Sequence, residues 1–421
     1  MTTFSTTHVC RVGDLNFASD EPPELSDRIP QKLEPWLSAI FQSEHLSLLV
    51  GNGLTTAAVL QSGGEAPSMA TQLTLTDRPL DQLLKTEVAR SVEQIGRGVP
   101  NIEDFLRVAI SLEAGLRIAE DVRSELVAQA ILETLTQLVS TILLAERTIK
   151  GSGAVGSEPE FAFTPTGYLV SLLLTFASRT PNRDRLHVFT TNYDRVIEYA
   201  CEVSGIRILD RFIGSLAPRF RSSRMDIDLH YNPAGIRGEP RFLEGVIRLT
   251  KLHGSVDWKF QDGTVVRVPV EFGSLTEPEP DGALIYPSSA KDQETSYFPY
   301  AELFRDLSAA ACRPNSVIVT YGYGFGDDHI NRILSDMLTI PSTHLLVISY
   351  DDDAAKISRF VDGNGSTSQI SLLIGSHFGD LCTLVDDYLP KPAIDDISWR
   401  RAALLRNRTI PAANESLDED R

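Results

Sequence analysis

Short apolar runs recur along the chain, and each ends in a polar or glycine-rich turn. The runs HLSLLV, LHVFT, GVIRLTKL, NSVIVTY and HLLVISY are examples, and helical patterns follow most of these turns. Short buried strands that alternate with helices are typical of a doubly wound parallel sheet. The pattern therefore predicts an α/β fold, whose ligand site lies beyond the carboxyl ends of the strands. A hairpin is also predicted around Asp262-Gly263, because Asp-Gly strongly favours a tight turn between strands.

The stretch 76–185 has a different character, because apolar residues recur at helical spacing through much of it. Asn101 followed by Asp104 is typical of a capped helix start. We therefore predict a helical insertion over 76–185, whose apolar faces form core or subunit contacts.

This pattern divides the chain into four parts. Residues 1–45 are polar and interrupted by proline, and we interpret them as an N-terminal arm that can form an interface. The segments 46–75 and 186–390 together form the predicted α/β domain, on either side of the helical insertion. Residues 391–421 end in NESLDEDR, which predicts an acidic frayed tail.

Charge and cysteine content exclude several classes of protein. The chain of 421 residues has 39 basic and 57 acidic side chains, a net charge of -18, which disfavours broad contact with a nucleic-acid backbone. DNA contact is therefore expected to be local or made through a partner. The four cysteines lie far apart without a C-x-x-C pair, so neither a zinc site nor a disulfide framework is predicted. No apolar stretch was found that approaches the roughly 18 residues of a membrane span, so a cytoplasmic protein without membrane contact is expected.

Four polar or glycine-rich loops follow predicted strands, and in a parallel sheet they can fall on one edge. They are Gly51-Asn52-Gly53-Leu54-Thr55, Thr191-Asn192-Tyr193-Asp194, His253-Gly254-Ser255 and Gly322-Tyr323-Gly324-Phe325-Gly326. Gly51 and Gly53 allow close backbone approach, and the helix behind them offers N–H groups to a diphosphate. Because the G-x-G-x-x-G pattern is incomplete, an ordinary tight turn is the alternative.

Three polar side chains in these loops are candidate catalytic or ribose-binding residues. Asn192 can orient a water or a ribose hydroxyl, and Asp194 can accept a hydrogen bond or stabilise positive charge. His253 can act as a general base or bind a ribose. The alternatives are that Asn192 and Asp194 cap the next helix and that His253 is a structural hydrogen-bonding group.

A metal cluster is a further hypothesis for two acidic turns. It would combine Asp327, Asp328 and His329 with Asp351–Asp353. We favour the interpretation that DDHIN caps a helix and that YDDD closes a strand, so no metal site is predicted.

The motifs LLVGNGLT, TTNYD and LHGS resemble three sirtuin motifs in the same order: a Gly-Ala-Gly-x-Ser loop, Thr-Gln-Asn-x-Asp and Leu-His-Gly. The similarity is greatest to the SIR2-like NADases of bacterial anti-phage defence, which VTYGYGFGDDHINRIL and IGSHFGDLCTLVDDYL also resemble. It covers about 46–75 and 186–390 and implies a Rossmann-like sheet of the sirtuin type. The four cysteines of the sirtuin zinc module have no counterpart, so zinc is not expected and deacetylation is disfavoured.

The resemblance implies an NAD+ glycohydrolase that releases nicotinamide and ADP-ribose, with NAD+ as substrate and no other cofactor. It implies that Asn192 positions the attacking water, that His253 contacts the ribose or acts as base, and that Asp194 supports the cationic ribose. The other NAD+-binding residues that it implies are Gly51, Asn52, Gly53, Thr55, Thr191, Gly322, Gly324, Phe325 and, at the adenosine ribose, Asp351.

An enzyme that depletes NAD+ in anti-phage defence and abortive infection needs control. The resemblance implies a homo-oligomer and a separate HerA-like hexameric ATPase as partner, since the chain has no P-loop of its own. Two alternatives stay open: a nuclease subunit of such a complex, and a regulatory module that binds NAD+ or ADP-ribose without turnover. The sequence leaves the trigger open, as well as the choice between linear and cyclic ADP-ribose.

Overall fold

The structure is a computed structural model that describes residues 7–23, 29–65, 72–95, 100–152, 163–180, 182–223, 227–231, 241–275, 298–365 and 368–391. Its strands are β1 (His8–Val12), β2 (Leu15–Ser19), β3 (His45–Val50), β4 (His187–Thr190), β5 (Arg207–Leu209), β6 (Phe212–Ile213), β7 (Arg219–Phe220), β8 (His230–Tyr231), β9 (Arg241–Phe242), β10 (Val246–Lys251), β11 (Trp258–Gln261), β12 (Thr264–Arg267), β13 (Ser316–Tyr321), β14 (His344–Ser349) and β15 (Ile370–Ile374). Its main helices are α1 (Ile29–Phe41), α2 (Asn52–Gln61), α3 (Arg78–Ile95), α4 (Ile102–Ile118), α5 (Arg123–Gly151), α6 (Pro165–Ala177), α7 (Val196–Ser204), α8 (Tyr300–Ala311), α9 (Asp328–Leu338) and α10 (Lys356–Asn364). Short helical turns follow at Asp353–Ala355, Ser376–Gly379, Leu381–Thr383 and Leu384–Tyr388.

Within these ranges a central sheet has nine strands in the order β2-β1-β15-β14-β13-β3-β4-β10-β5. The strands from β15 to β5 in this order are all parallel to their neighbours. Helices cover both faces: Leu48 and Val50 belong to one buried core with α1, α2, α6 and α7, whereas Leu49 belongs to a second with α8, α9 and α10. Burial on both faces explains why these strands are continuous apolar runs. The predicted α/β, Rossmann-like sheet is confirmed.

The predicted hairpin is also confirmed. Strands β11 and β12 pair antiparallel, with Gln261 opposite Thr264. The two turn residues between them have positive φ, 51° at Asp262 and 73° at Gly263. This conformation matches the twist of the two strands and is the reason that Asp-Gly is favoured there.

Helices occupy the insertion as the apolar spacing predicts. Asn101 and Asp104 cap α4 reciprocally, with the Asn101 side chain accepting from Asp104 N at 3.0 Å. Helices α3, α4 and α5 share an apolar core of their own, which also receives Tyr193 and Val256 from the loops after β4 and β10. Helix α6 instead packs in the core of the main sheet. The insertion is therefore in direct contact with two of the loops singled out in the sequence.

The N-terminal region differs from the expected arm. Strand β1 pairs antiparallel with β15, and Leu33 and Leu37 of α1 are fully buried in the main core. Pairing covers the backbone N–H and C=O groups that the β15 edge would otherwise expose. The described parts of 1–45 are thus part of the α/β fold, and an interface role there stays a prediction. The predicted tail lies outside the described residues except for its first position.

Helix α5 is long and apolar enough to cross a membrane, the only such helix in the described ranges. No continuous apolar run marks it in the sequence, because polar residues interrupt the apolar ones. Of its most apolar window, 44% is buried inside the protein, chiefly in the core that it shares with α3 and α4.

Candidate functional site

Four loops meet at the carboxyl edge of the sheet, because β13, β3, β4 and β10 are consecutive parallel neighbours. They surround a cleft with a volume of about 320 Å³. The sequence-predicted site residues that line it are Gly51, Asn52, Thr55, Thr191, Asn192, Asp194, His253, Gly322 and Gly324.

Three predicted residues lie outside this lining. Gly53 faces the neighbouring loop, where its N–H donates to Gly322 O at 3.0 Å. Phe325 is only 4% exposed and packs between Tyr323 and Phe360, with ring centroids 4.9 Å from each. Asp351 is exposed on the surface. Their predicted contacts with NAD+ stay predictions.

The loop after β3 and the loop after β13 touch through their backbones, and glycine is required at this contact. A Cβ on Gly51 would lie 2.4 Å from Gly322 O, and one on Gly322 would lie 2.6 Å from Gly53 Cα. Gly322 also has φ +60°, a conformation that side chains disfavour. No side chain caps the start of α2, but the N–H groups of Gly53 and Leu54 donate to Gly322 O and Gly51 O, so it is the positive dipole end that remains suited to an anion. The geometry therefore supports the tight-turn interpretation and leaves the phosphate interpretation open.

Asn192 is held by the first loop. Its Nδ2 donates to Gly51 O at 3.0 Å and to Thr55 Oγ1 at 3.1 Å, and Thr55 Oγ1 donates to Asp194 Oδ2 at 2.7 Å. Within the described part of the chain, no hydrogen bond occupies Asn192 Oδ1. The capping interpretation is wrong for Asn192, because no side chain of this loop caps α7 from the N-cap position and its amide points to the first loop. For Asp194 it holds in part, since Oδ1 accepts from Val196 N at 3.1 Å.

His253 pairs with Asp327 across the cleft. Its Nε2 lies 3.0 Å from Asp327 Oδ2, although β3 and β4 separate the strands that carry the two residues. The rings of Tyr193 and Phe304 flank the imidazole at 6.3 and 6.4 Å between centroids. Asp327 also caps α9, as the DDHIN interpretation predicts. Sequence reasoning missed its contact with His253, because that contact depends on strand order.

The helical insertion supplies one wall of the cleft. Asn101 and Glu103 at the start of α4 line it, together with four α5 residues, Leu138, Thr141, Ile142 and Ala145. The Tyr193 hydroxyl donates to Glu103 Oε1 at 3.3 Å. Burial raises the pKa of Tyr193 well above its usual range, and the nearby Glu103 carboxylate adds to the effect. The phenol therefore stays protonated and serves as a donor. No local sequence signal marks these residues, since tertiary packing alone brings them to the site.

A buried ion pair fixes the loop after β4 to α5. Glu146 is fully buried and accepts from Arg195 N at 2.9 Å, Arg195 Nε at 3.1 Å, Arg195 Nη2 at 2.6 Å and Gly273 N at 3.0 Å. Burial acts to lower the pKa of Arg195, but the contact with Glu146 outweighs it and the pKa is raised. The position of α5 is thus coupled to the segment that carries Asn192 and Asp194.

Charge is distributed unevenly along the cleft lining. Glu103, Asp194 and Asp327 lie near Asn192 and His253, whereas Lys356 enters from α10, which follows β14. Lys356 is the sole Lys or Arg among the described lining residues. Its Nζ also lies 3.3 Å from Asp353 Oδ2. The lining thus offers both carboxylates and an ammonium group to a ligand.

The hypothetical metal cluster does not form. Asp327, Asp328 and His329 do not join Asp351–Asp353, and across the described ranges no group of three or more His, Cys, Asp or Glu side chains is placed to hold an ion. Asp327 instead uses its carboxylate for the helix cap and for His253.

Comparison with known proteins bears on the loops after β4, β10 and β13. A family model of the SIR2-like domain matches residues 186–367. The matched range contains Asn192, Asp194, His253 and Asp327, and the match supports the sirtuin-like family and an NAD-related activity, since SIR2-like domains use NAD+. None of the curated proteins compared matches the chain.

Proposed function

We propose that this chain is an NAD+ glycohydrolase that cleaves NAD+ to nicotinamide and ADP-ribose. The observation that carries the proposal is the meeting of Asn192 and His253, in the loops after the neighbouring strands β4 and β10, in one cleft with the glycine loop after β3. A polar amide and an imidazole beside an anion-binding helix start provide what hydrolysis of a dinucleotide needs.

The reaction breaks the bond between ribose C1′ and the nicotinamide nitrogen. The bonding electron pair passes to that nitrogen, which loses its positive charge, so the leaving group needs no proton. A water oxygen bonds to C1′, and His253 accepts the proton that the water releases. Asn192 Oδ1, which no other described group engages, accepts a hydrogen bond from the water or the ribose and holds it near C1′.

Charged groups in the cleft favour the positive charge that develops on the ribose during the reaction. The carboxylates of Asp194 and Glu103 stabilise positive charge that develops on the ribose as nicotinamide leaves. Lys356 and the start of α2 attract the diphosphate. The cleft lining thus holds groups of opposite charge for both the nicotinamide and the diphosphate of NAD+.

We also propose that the enzyme acts in anti-phage defence by depleting NAD+, as a homo-oligomer controlled by a HerA-like hexameric ATPase. The motif resemblance supports this role, and the net charge of -18 agrees with DNA contact through a partner. The insertion is suited to control, because it contacts the loops after β4 and β10 and lines the cleft. Mass photometry of the chain with and without the ATPase tests the assembly, and a chain that stays monomeric in both contradicts it.

Substitution of the two central residues tests the proposed site. We expect Asn192→Ala and His253→Ala each to lower the rate of NAD+ loss by about 100-fold or more, the usual scale of a positioned acid or base. His230→Ala, in the exposed strand β8, is the matched control and should keep the wild-type rate. Thermal unfolding should show that all three variants are folded. Full NAD+ turnover by both Asn192→Ala and His253→Ala would overturn the assignment.

A further inference from the structure

The two carboxylate oxygens of Asp327 have separate partners. Oδ1 accepts from the backbone N–H groups of His329 at 2.9 Å and Ile330 at 3.4 Å, and so caps α9. Oδ2 lies 3.0 Å from His253 Nε2. Both side chains are largely buried, with 8% of Asp327 and 13% of His253 exposed. The cap fixes Asp327, and Asp327 in turn restricts the imidazole.

This contact determines which imidazole nitrogen carries the proton. A carboxylate oxygen accepts hydrogen bonds, so the proton lies on Nε2 and Nδ1 retains its lone pair. No side chain or backbone group of the described residues hydrogen-bonds to Nδ1. We propose that Asp327 is a positioning residue that holds His253 across the cleft and keeps its proton on Nε2, which makes Nδ1 the atom that receives the proton from water. This inference rests on the proposed function.

The proton and charge changes in the step are balanced. As the water oxygen bonds to C1′, Nδ1 takes the released proton and the imidazole becomes an imidazolium with both nitrogens protonated. The positive charge on His253 then faces the negative charge on Asp327, which lowers the energy of the charged state. Asp327 keeps its own protonation state and does not touch the substrate.

Asp327→Asn separates the helix cap from the hydrogen bond to His253. The asparagine side-chain oxygen still caps α9, since asparagine is as good an N-cap as aspartate. The atom that faces His253 becomes an NH2 group, which donates and therefore favours a proton on Nδ1 instead of Nε2. Asp328→Asn is the matched control, because Asp328 is the next residue, is exposed and lies in the first turn of the same helix.

Kinetics provide one readout. We expect Asp327→Asn to lower kcat for NAD+ by about 100-fold, within the range typical of general base catalysis, and to change KM little. Asp328→Asn should keep the wild-type kcat. In the His253→Ala background, Asp327→Asn should cause no further loss, since both changes remove the same function. A further loss in that background would show that Asp327 acts apart from His253 and overturn the inference.

The protonated nitrogen of His253 provides a second readout that needs no turnover. Nitrogen-15 NMR of histidine-labelled protein without NAD+, with His253→Ala to assign the signal, reports which nitrogen carries the proton. We expect Nε2–H in the wild type and in Asp328→Asn, and Nδ1–H in Asp327→Asn. The same tautomer in the wild type and Asp327→Asn overturns the inference. If the wild type does not hydrolyse NAD+, the proposed function fails, and the tautomer comparison still decides whether Asp327 sets the protonated nitrogen.

Discussion

Asn192 shows how far local sequence determines the interpretation of a residue. By itself it resembles a helix cap, yet its amide contacts Gly51 and Thr55, which are 141 and 137 positions away in the chain. The motifs predicted that these loops share one edge of the sheet, and the sheet order confirms it. The motifs could not predict the contact between Asp327 and His253. The local pattern accounts only for the Asp327 carboxylate oxygen that caps α9.

Thr55 links the first loop to Asn192 and Asp194. Thr55→Val keeps the shape of the side chain but removes the hydroxyl that accepts from Asn192 and donates to Asp194. Because the buried partners lose a hydrogen bond, the free energy of unfolding should fall by about 1–3 kcal/mol. The rate of NAD+ loss should fall as well, since Asn192 is less firmly held.

Urea unfolding and an NAD+ assay measure these two effects. Thr55→Ser retains the hydroxyl and is the control, which should stay close to the wild type in both. If Thr55→Val were as stable and as active as the wild type, the Asn192–Thr55–Asp194 network would have no role in holding the site.

At the scale of elements, α5 connects the insertion to the α/β domain. Its apolar face was predictable from residue spacing, because burial follows helical periodicity. Its contact with the loop after β4 was not, since Glu146 gives no sign in the sequence that its partner is Arg195. A charged residue at a buried helix position indicates that some partner exists, but only the fold identifies it.

Loss of Glu146 should destabilise the protein and disturb the site. Glu146→Gln leaves the buried Arg195 without its counter-charge, so the free energy of unfolding should fall by about 3–5 kcal/mol, the usual cost of removing one partner of a buried pair. Glu133→Gln, on the exposed face of the same helix, is the control and should change little. Equal stability of these two variants in denaturant unfolding would show that the ion pair does not anchor the loop.

At the scale of the whole molecule, the alternation of strands and helices was enough to predict a doubly wound sheet. It was not enough to place β1, because β1 pairs with β15 at the other end of the described chain. It also did not show that the insertion forms a wall of the cleft. Both depend on contacts between distant segments, which local periodicity does not encode. The contacts of the insertion couple its position to the cleft.

The most direct measurement is product chromatography after incubation of the chain with NAD+, alone and with a HerA-like ATPase. We expect NAD+ to disappear in at least one of these conditions, with equal amounts of nicotinamide and ADP-ribose formed, and Asn192→Ala to leave NAD+ intact in both. A wild-type chain that binds NAD+ but leaves it intact in both conditions would contradict the account and identify a binding module instead of an enzyme.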